Sequence, residues 1–139
     1  MSFHNKVIWI TGASSGIGKA LAQELSYQNA LLIISARDKN SLEMVRGLCK
    51  NPKNVWIIPL DLEKHSTFSE ITQRAINVFG RIDILVNNGG ISQRSLATET
   101  HISVDKKIME VNYMGTIALT KAVLPHFIDN QKGHIVVTT

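Results

Sequence analysis

The chain has 139 residues, of which 44% are hydrophobic and 19% charged, with a formal charge of +4. That length fits one globular domain, and the apolar content excludes a disordered tail. No apolar run nears the roughly 18 residues that cross a bilayer, and the opening stretch Met1-Ser2-Phe3-His4-Asn5-Lys6 holds no secretory core, so neither a membrane span nor a leader is expected.

Val7–Ile10 is the first of five short apolar runs. It is continuous rather than alternating, the pattern of a parallel strand covered on both faces. Ile17, Leu21 and Leu25 follow at helical spacing. Leu31–Ile34 reads as a second strand, and Leu42, Val45 and Leu48 as the face of a second helix. Val55–Ile58 is a third strand. Thr67 to Glu70 has the S/T-x-x-E form of a capping box, which predicts a helix start there, and Ile71, Ala75 and Val78 share its face. Ile82–Val86 is a fourth strand. One long helix is expected from about Ser103 to Ile128, with Ile108, Val111, Gly115, Leu119 and Val123 on one stripe. Pro125 should kink or loosen its last turns. Ile135–Val137 is the fifth strand. Strand and helix alternate throughout, which predicts an α/β protein with right-handed crossovers and an open, doubly wound parallel sheet of the Rossmann type. The fifth segment, Gly133 to Thr139, has no covering element after it. The expectation is either a small domain with a bare edge or a piece of a larger fold.

Between the first strand and first helix lies Thr11-Gly12-Ala13-Ser14-Ser15-Gly16-Ile17-Gly18. In doubly wound folds ligands sit beyond the carboxyl ends of the strands. Gly12 allows a tight exit from the strand, Gly16 clears space for a pyrophosphate beside the backbone, and Gly18 allows close packing of the helix. The free N–H groups at the helix start attract phosphate, and Ser14 and Ser15 add hydroxyl donors. The spacing G-x-x-x-G-x-G differs from the G-x-G-x-x-G fingerprint, and no Gly-Lys-Ser/Thr follows, so this is not a P-loop. A ligand-free glycine turn is the plain alternative.

The basic residues Arg37, Lys39, Arg46, Lys50 and Lys53 outnumber Asp38 and Glu43 between residues 37 and 53. A solvated helix face beside an anionic ligand explains this better than nucleic-acid binding. The single cysteine, Cys49, excludes an intramolecular disulfide framework and a cysteine-rich metal site, and makes a reducing, cytoplasmic location the default. His4, His65, His101, His126 and His134 show no metal-ligand spacing, so no metal site is expected.

Four ordered motifs give the chain a resemblance to the short-chain dehydrogenase/reductase family. Thr11 to Gly18 resembles its T-G-x-x-x-G-x-G, and Asp61-Leu62 its adenine-contacting Asp. Asn87-Asn88-Gly89-Gly90 is similar to its N-N-A-G, with Gly89 where Ala is usual. Val111-Asn112-Tyr113-Met114-Gly115 is similar to the segment that carries its catalytic Asn. Gly133 to Thr139 resembles the strand leading to its catalytic Ser, which by spacing would come next. The run Asn87 to Leu96, NNGGISQRSL, resembles most the dehydrogenase/reductase member 7 branch and its bacterial relatives.

The resemblance implies a sheet order of 3-2-1-4-5 and a nicotinamide dinucleotide in the cleft. Gly12, Ser14, Ser15, Gly16, Ile17 and Gly18 would hold its phosphates, Asp61 and Leu62 would border the adenine, and Asn88 and Gly90 would lie against the adenosine ribose and diphosphate. Asn87 is equally a sheet brace, and Asp61 a plain helix-start residue. NAD-preferring members place an acid at the end of the second strand, where this chain has Ala36 and then Arg37. Arg37 suits the 2′-phosphate of NADP. Asp38 is the counter-indication unless it caps the following helix. NADP is therefore expected ahead of NAD.

The family's Tyr-x-x-x-Lys is absent. The two tyrosines, Tyr27 and Tyr113, are followed four residues on by Leu31 and Ile117. Thr138 and Thr139 are out of register for the catalytic Ser. Only Asn112 of the catalytic set is present, and bracing a helix kink is its other role. The expectation is thus an incomplete nucleotide-binding domain over residues 1–139, the N-terminal part of a parent of roughly 250 residues with its C-terminal elements missing. That parent would interconvert a carbonyl and a secondary alcohol and would pair as a homo-oligomer through the long helix. The chain alone would be inactive. Two alternatives stand: a non-catalytic dinucleotide-binding module, and an interaction protein with a vestigial glycine turn that tolerates Gly16→Val.

Overall fold

The computed structural model describes residues 2–139. Five strands form one parallel sheet: β1 (Val7–Thr11), β2 (Leu31–Ser35), β3 (Val55–Ile57), β4 (Ile84–Asn87) and β5 (His134–Val137). Their order is β3-β2-β1-β4-β5, as expected. The helices between them are α1 (Gly16–Tyr27), α2 (Lys39–Leu48), α3 (Phe68–Phe79), α4 (Ile102–Ile108) and α5 (Gly115–Asp129).

The continuous apolar strands serve two cores. Alternate side chains point to opposite faces of a sheet. Trp9, Ile33 and Leu85 meet Phe68, Ile71, Ala75, Leu119, Val123 and Phe127 from α3 and α5. Their neighbours Ile8, Ile10, Leu32, Ile34 and Val86 meet Ala22, Leu25, Leu42 and Val45 from α1 and α2. Each fully buried aliphatic side chain is worth about 1.5–3 kcal/mol, and the central strands β1 and β2 contribute most of these. Two polar groups in this region are paired. Trp9 Nε1 donates to Ser35 Oγ at 2.8 Å. The buried Asp83 carboxylate accepts from the Val7 N–H at 2.8 Å and from Arg81 Nε at 3.0 Å.

Several sequence expectations need correction. The long helix is three segments: α4, a π-helical turn over Met109–Met114, and α5. An i+4 stripe does not betray the switch, since Val111, Gly115, Leu119, Val123 and Phe127 follow one another at that spacing and are all buried. Pro125 stands within α5, which runs four residues beyond it. The capping box does not form. Thr67 flanks α3 in a helical conformation and makes no side-chain cap, because its hydroxyl donates to the Lys64 carbonyl at 2.7 Å within a 3-10 turn (His65–Thr67). Ile17 and Leu48, read as core-facing, are exposed. The fourth strand begins at Ile84 rather than Ile82; Ile82 is buried, but its N–H donates to His126 Nε2 at 3.1 Å.

Candidate functional site

At the carboxyl ends of β1, β2 and β4 lies a cleft of about 960 Å³. Its size suits a sizeable organic ligand. It brings together ten residues far apart in sequence but expected at one site: Gly12, Ser14, Ser15, Gly16, Ile17, Arg37, Asp61, Leu62, Asn88 and Gly90. Ile17 is exposed because it borders this cleft, not the core. Gly18 and Asn112, also expected there, do not line it.

The turn from β1 to α1 is shaped by its glycines. Gly12 has φ +62°, and a Cβ there would stand 2.6 Å from Gly89 Cα. No other residue type fits that crossing of two backbones. A Cβ on Gly18 would overlap the Gly12 carbonyl and approach Asn88 Nδ2 to 2.6 Å. Gly16 also has a left-handed φ, +53°, but a Cβ on it would meet nothing. The space beside it is open to the cleft. Ser15 precedes α1 in an extended conformation and its hydroxyl makes no cap. The first N–H groups of any α-helix lack intrahelical acceptors and carry its positive dipole end. Together these leave a cradle of donors without side-chain obstruction.

A second layer ties this cradle to β4. Thr11 Oγ1 accepts from the N–H groups of Asn88, at 3.0 Å, and Gly89, at 2.9 Å. Asn88 Nδ2 donates to the Gly12 carbonyl at 3.1 Å, and Asn88 Oδ1 accepts from Thr138 Oγ1 at 2.9 Å. Asn88 was expected to face the ligand. It lines the cleft, yet its carboxamide is committed to the protein. Asn87 is a brace as well, donating from Nδ2 to Thr120 Oγ1 at 3.0 Å. Gly89 packs tightly, since a Cβ would come within 2.6 Å of Leu62 Cδ1.

Neighbours at the cleft mouth have opposite commitments. Asp38 caps α2: one carboxylate oxygen accepts the Asn40 N–H at 3.0 Å and the other the Ser41 hydroxyl at 2.6 Å. The Ser41 hydroxyl first, and the backbone N–H groups after it, hold this carboxyl below its ordinary pKa range. Arg37 is exposed along the cleft. Asp61 is a turn residue as well as a wall residue, accepting the Glu63 N–H at 3.0 Å. Ser92 and Arg94, in the Ile91–Leu96 segment that sequence reading assigned to the substrate wall, also line the cleft; the clasp roles of Thr11 and Thr138 were missed, and their hydroxyl groups were the available signal.

Asn112 sits in the π-helical turn. Its Oδ1 accepts from the Ile91 N–H and its Nδ2 donates to the Ile91 carbonyl, both at 2.8 Å. Thr116 Oγ1 donates to its carbonyl at 2.8 Å, satisfying a group the irregular turn loosens. The Asn112 carboxamide thus braces the loop leaving β4, not the helix kink that was its expected structural role. Gly115 presses the same segment on the cleft wall: a Cβ there would be 2.7 Å from the Leu62 carbonyl. No group of three or more His, Cys, Asp or Glu among the described residues is placed to hold a metal ion. No helix among them is long and apolar enough to cross a membrane.

The family model for short chain dehydrogenases matches residues 6–139. Human dehydrogenase/reductase SDR family member 7 is 47% identical over 135 residues, covering 94% of this chain and 40% of that protein. A dehydrogenase/reductase SDR family protein 7-like from Anopheles gambiae is 45% identical over 139 residues, covering 96% of this chain and 44% of its own. The branch resemblance carried by NNGGISQRSL is therefore borne out. The chain spans 40% to 46% of the length of the curated relatives it matches. Among solved structures, a short-chain dehydrogenase from Streptomyces avermitilis superposes with TM-score 0.87 at 30% identity, over 99% of this chain and 50% of that one. A 3-ketoacyl-(acyl-carrier-protein) reductase from Brucella melitensis complexed with NADH superposes with TM-score 0.88 at 30% identity, over 98% of this chain and 57% of that one. A glycine cradle at the β1 end, a cleft beyond the strand ends and a family match over nearly every residue agree: this chain belongs to the short chain dehydrogenase family.

Proposed function

We propose that this chain is the cofactor-holding part of an NADP-preferring oxidoreductase that interconverts a carbonyl and a secondary alcohol. The observation that carries the preference is the pairing of an exposed Arg37 at the cleft mouth with an Asp38 whose carboxylate is spent on the α2 cap. A guanidinium is then available for a 2′-phosphate, while the Asp38 carboxylate beside it in the cleft wall accepts bonds from the first turn of α2.

The cradle fits the group: open space at Gly16, an uncapped Ser15 and unsatisfied helix N–H groups suit a diphosphate. When bound, the nicotinamide supplies or accepts the hydride. This chain's residues bind and orient. Ser14 and Ser15 donate to phosphate, Asp61 and Leu62 border the adenine, Gly90 leaves room along the ribose, and Asn112 holds the Ile91 loop beside the reacting end. The catalytic place of Asn112 rests on family resemblance. Cytoplasmic location and pairing through α5 belong to the same proposal.

Titrating the chain with NADPH and NADH, following ligand fluorescence, tests the preference. NADPH should bind at least tenfold more tightly, and Arg37→Ala should erase most of that gap by removing a charge-assisted contact. Equal or tighter NADH binding would overturn it. Turnover of ketones is expected only where a Tyr-x-x-x-Lys is supplied. The non-catalytic module remains the second reading, favoured by the Leu31 and Ile117 that follow Tyr27 and Tyr113. Ketone reduction by a longer natural form would exclude it.

A further inference from the structure

We infer that Thr138 is a positioning residue for the phosphate cradle, acting through the Asn88 carboxamide. The inference rests on the reading of the cleft as a dinucleotide site. A carboxamide has two ends, and which end faces the Gly12 carbonyl decides whether that contact attracts or repels. Nδ2 facing the carbonyl at 3.1 Å attracts; Oδ1 there would set two acceptors against each other. The Gly12 carbonyl, an acceptor only, sets that orientation, and Thr138 Oγ1, donating to Oδ1 at 2.9 Å, anchors the far end of the amide so that the group stays in place. The amide is also seated tightly, since Gly18 leaves room for Nδ2 only by lacking a Cβ. The end of β5 thus reaches the β1–α1 turn through one side chain, across 50 residues to Asn88 and 76 more to Gly12. Thr138 does not itself line the cleft, so its effect on binding is indirect.

Thr138→Val keeps the shape and removes the hydroxyl; Thr138→Ala is a second hydroxyl-free variant that adds no bulk; Thr138→Ser keeps the donor. Two measurements on the chain read the effect. In amide hydrogen exchange without ligand, Val and Ala variants should speed exchange at Ala13, Asn88 and Gly89. Those N–H groups bond to Ser35 and Thr11 in and beside the turn. Exchange at Ile8 to Ile10, in the strand centre, should stay unchanged, and Ser should restore the wild-type pattern. In titration, Val and Ala should weaken NADPH binding about fivefold, the worth of one hydrogen bond. Adenosine 2′-monophosphate, which has no diphosphate, should bind all four proteins alike.

Equal exchange at the turn in all four proteins would overturn the inference, as would a uniform rise that includes Ile8 to Ile10, which marks general destabilisation. NADPH binding that is unchanged by Val and Ala would overturn it too. A wild-type chain that binds neither NADPH nor NADH would instead sink the dinucleotide reading, and the exchange data would still decide whether Thr138 sets the turn.

Discussion

β1 and β5 are both apolar strands of one sheet, and their surroundings are opposite. β1 (VIWIT) is buried at every position, whereas in β5 (HIVV) Ile135 is 37% and Val137 51% exposed. Among the described residues, β1 has a strand on each side and β5 pairs only with β4. Apolar content selects a segment for the sheet, and neighbours decide how deeply it is buried. Both strands nonetheless lead to a threonine that holds Asn88, Thr11 at the end of β1 and Thr138 just past β5. The cradle is therefore tied to the best-protected strand by backbone and to an edge strand by one side chain. Edge elements with few buried contacts open at lower free energy than core strands. The Thr138 arm should give way before the Thr11 arm.

The strongest way to sharpen this contrast is Trp9→Ala. Trp9 is fully buried in the β1 core and donates to Ser35 Oγ. Truncation leaves a cavity and a buried hydroxyl without its partner, and should cost about 3–5 kcal/mol in urea denaturation. A loss below about 1 kcal/mol, within the range of a surface substitution, would mean that β1 is not the anchor described.

Thr11→Val comes next. It removes the acceptor of the Asn88 and Gly89 N–H groups. Stranding two part-buried donors approaches the cost of about 1–3 kcal/mol for a buried one, so this variant should lose more stability than Thr138→Val, whose lost bond is worth about 1 kcal/mol. Denaturation midpoints of the two proteins decide it. The reverse order would break the comparison between the two arms.

What the sequence disclosed and withheld follows the same division between local and distant. The element order was legible because strand runs and helical stripes are local patterns. The glycine turn was legible because a strand, Gly12, Gly16 and Gly18 and a helix succeed one another in one short stretch. The π-helical turn was hidden, since Val111 to Phe127 keeps an unbroken i+4 stripe across it. Thr67 misled because a capping hydroxyl and a hydroxyl closing a 3-10 turn look alike in sequence. Ile17 carried two readings in sequence, a core-facing helix position and a phosphate-turn residue, and the turn places it beside the cleft. The clasp on Asn88 was beyond sequence pattern, for its partners Thr11 and Thr138 lie 77 and 50 residues away. Asp38 was the reverse case. Its cap on α2 depends only on Asn40 and Ser41, next to it in the chain.

The smallest expected effect is at the exposed strand itself. Val137→Thr keeps a β-branched side chain in an edge strand, so the backbone preference for extended structure is maintained. Its side chain is half exposed, and a hydroxyl placed there meets water rather than an apolar wall. Surface substitutions of this kind stay within about 0.5 kcal/mol, and the denaturation midpoint should barely move. The pairing of Val137 with Asn87 in β4 is through backbone and should persist, so the Thr138–Asn88 contact one residue on should persist with it. NADPH binding by Val137→Thr should match the wild type. A fivefold loss there, equal to that expected for Thr138→Val, would show that the cradle senses the position of the whole strand rather than one hydroxyl.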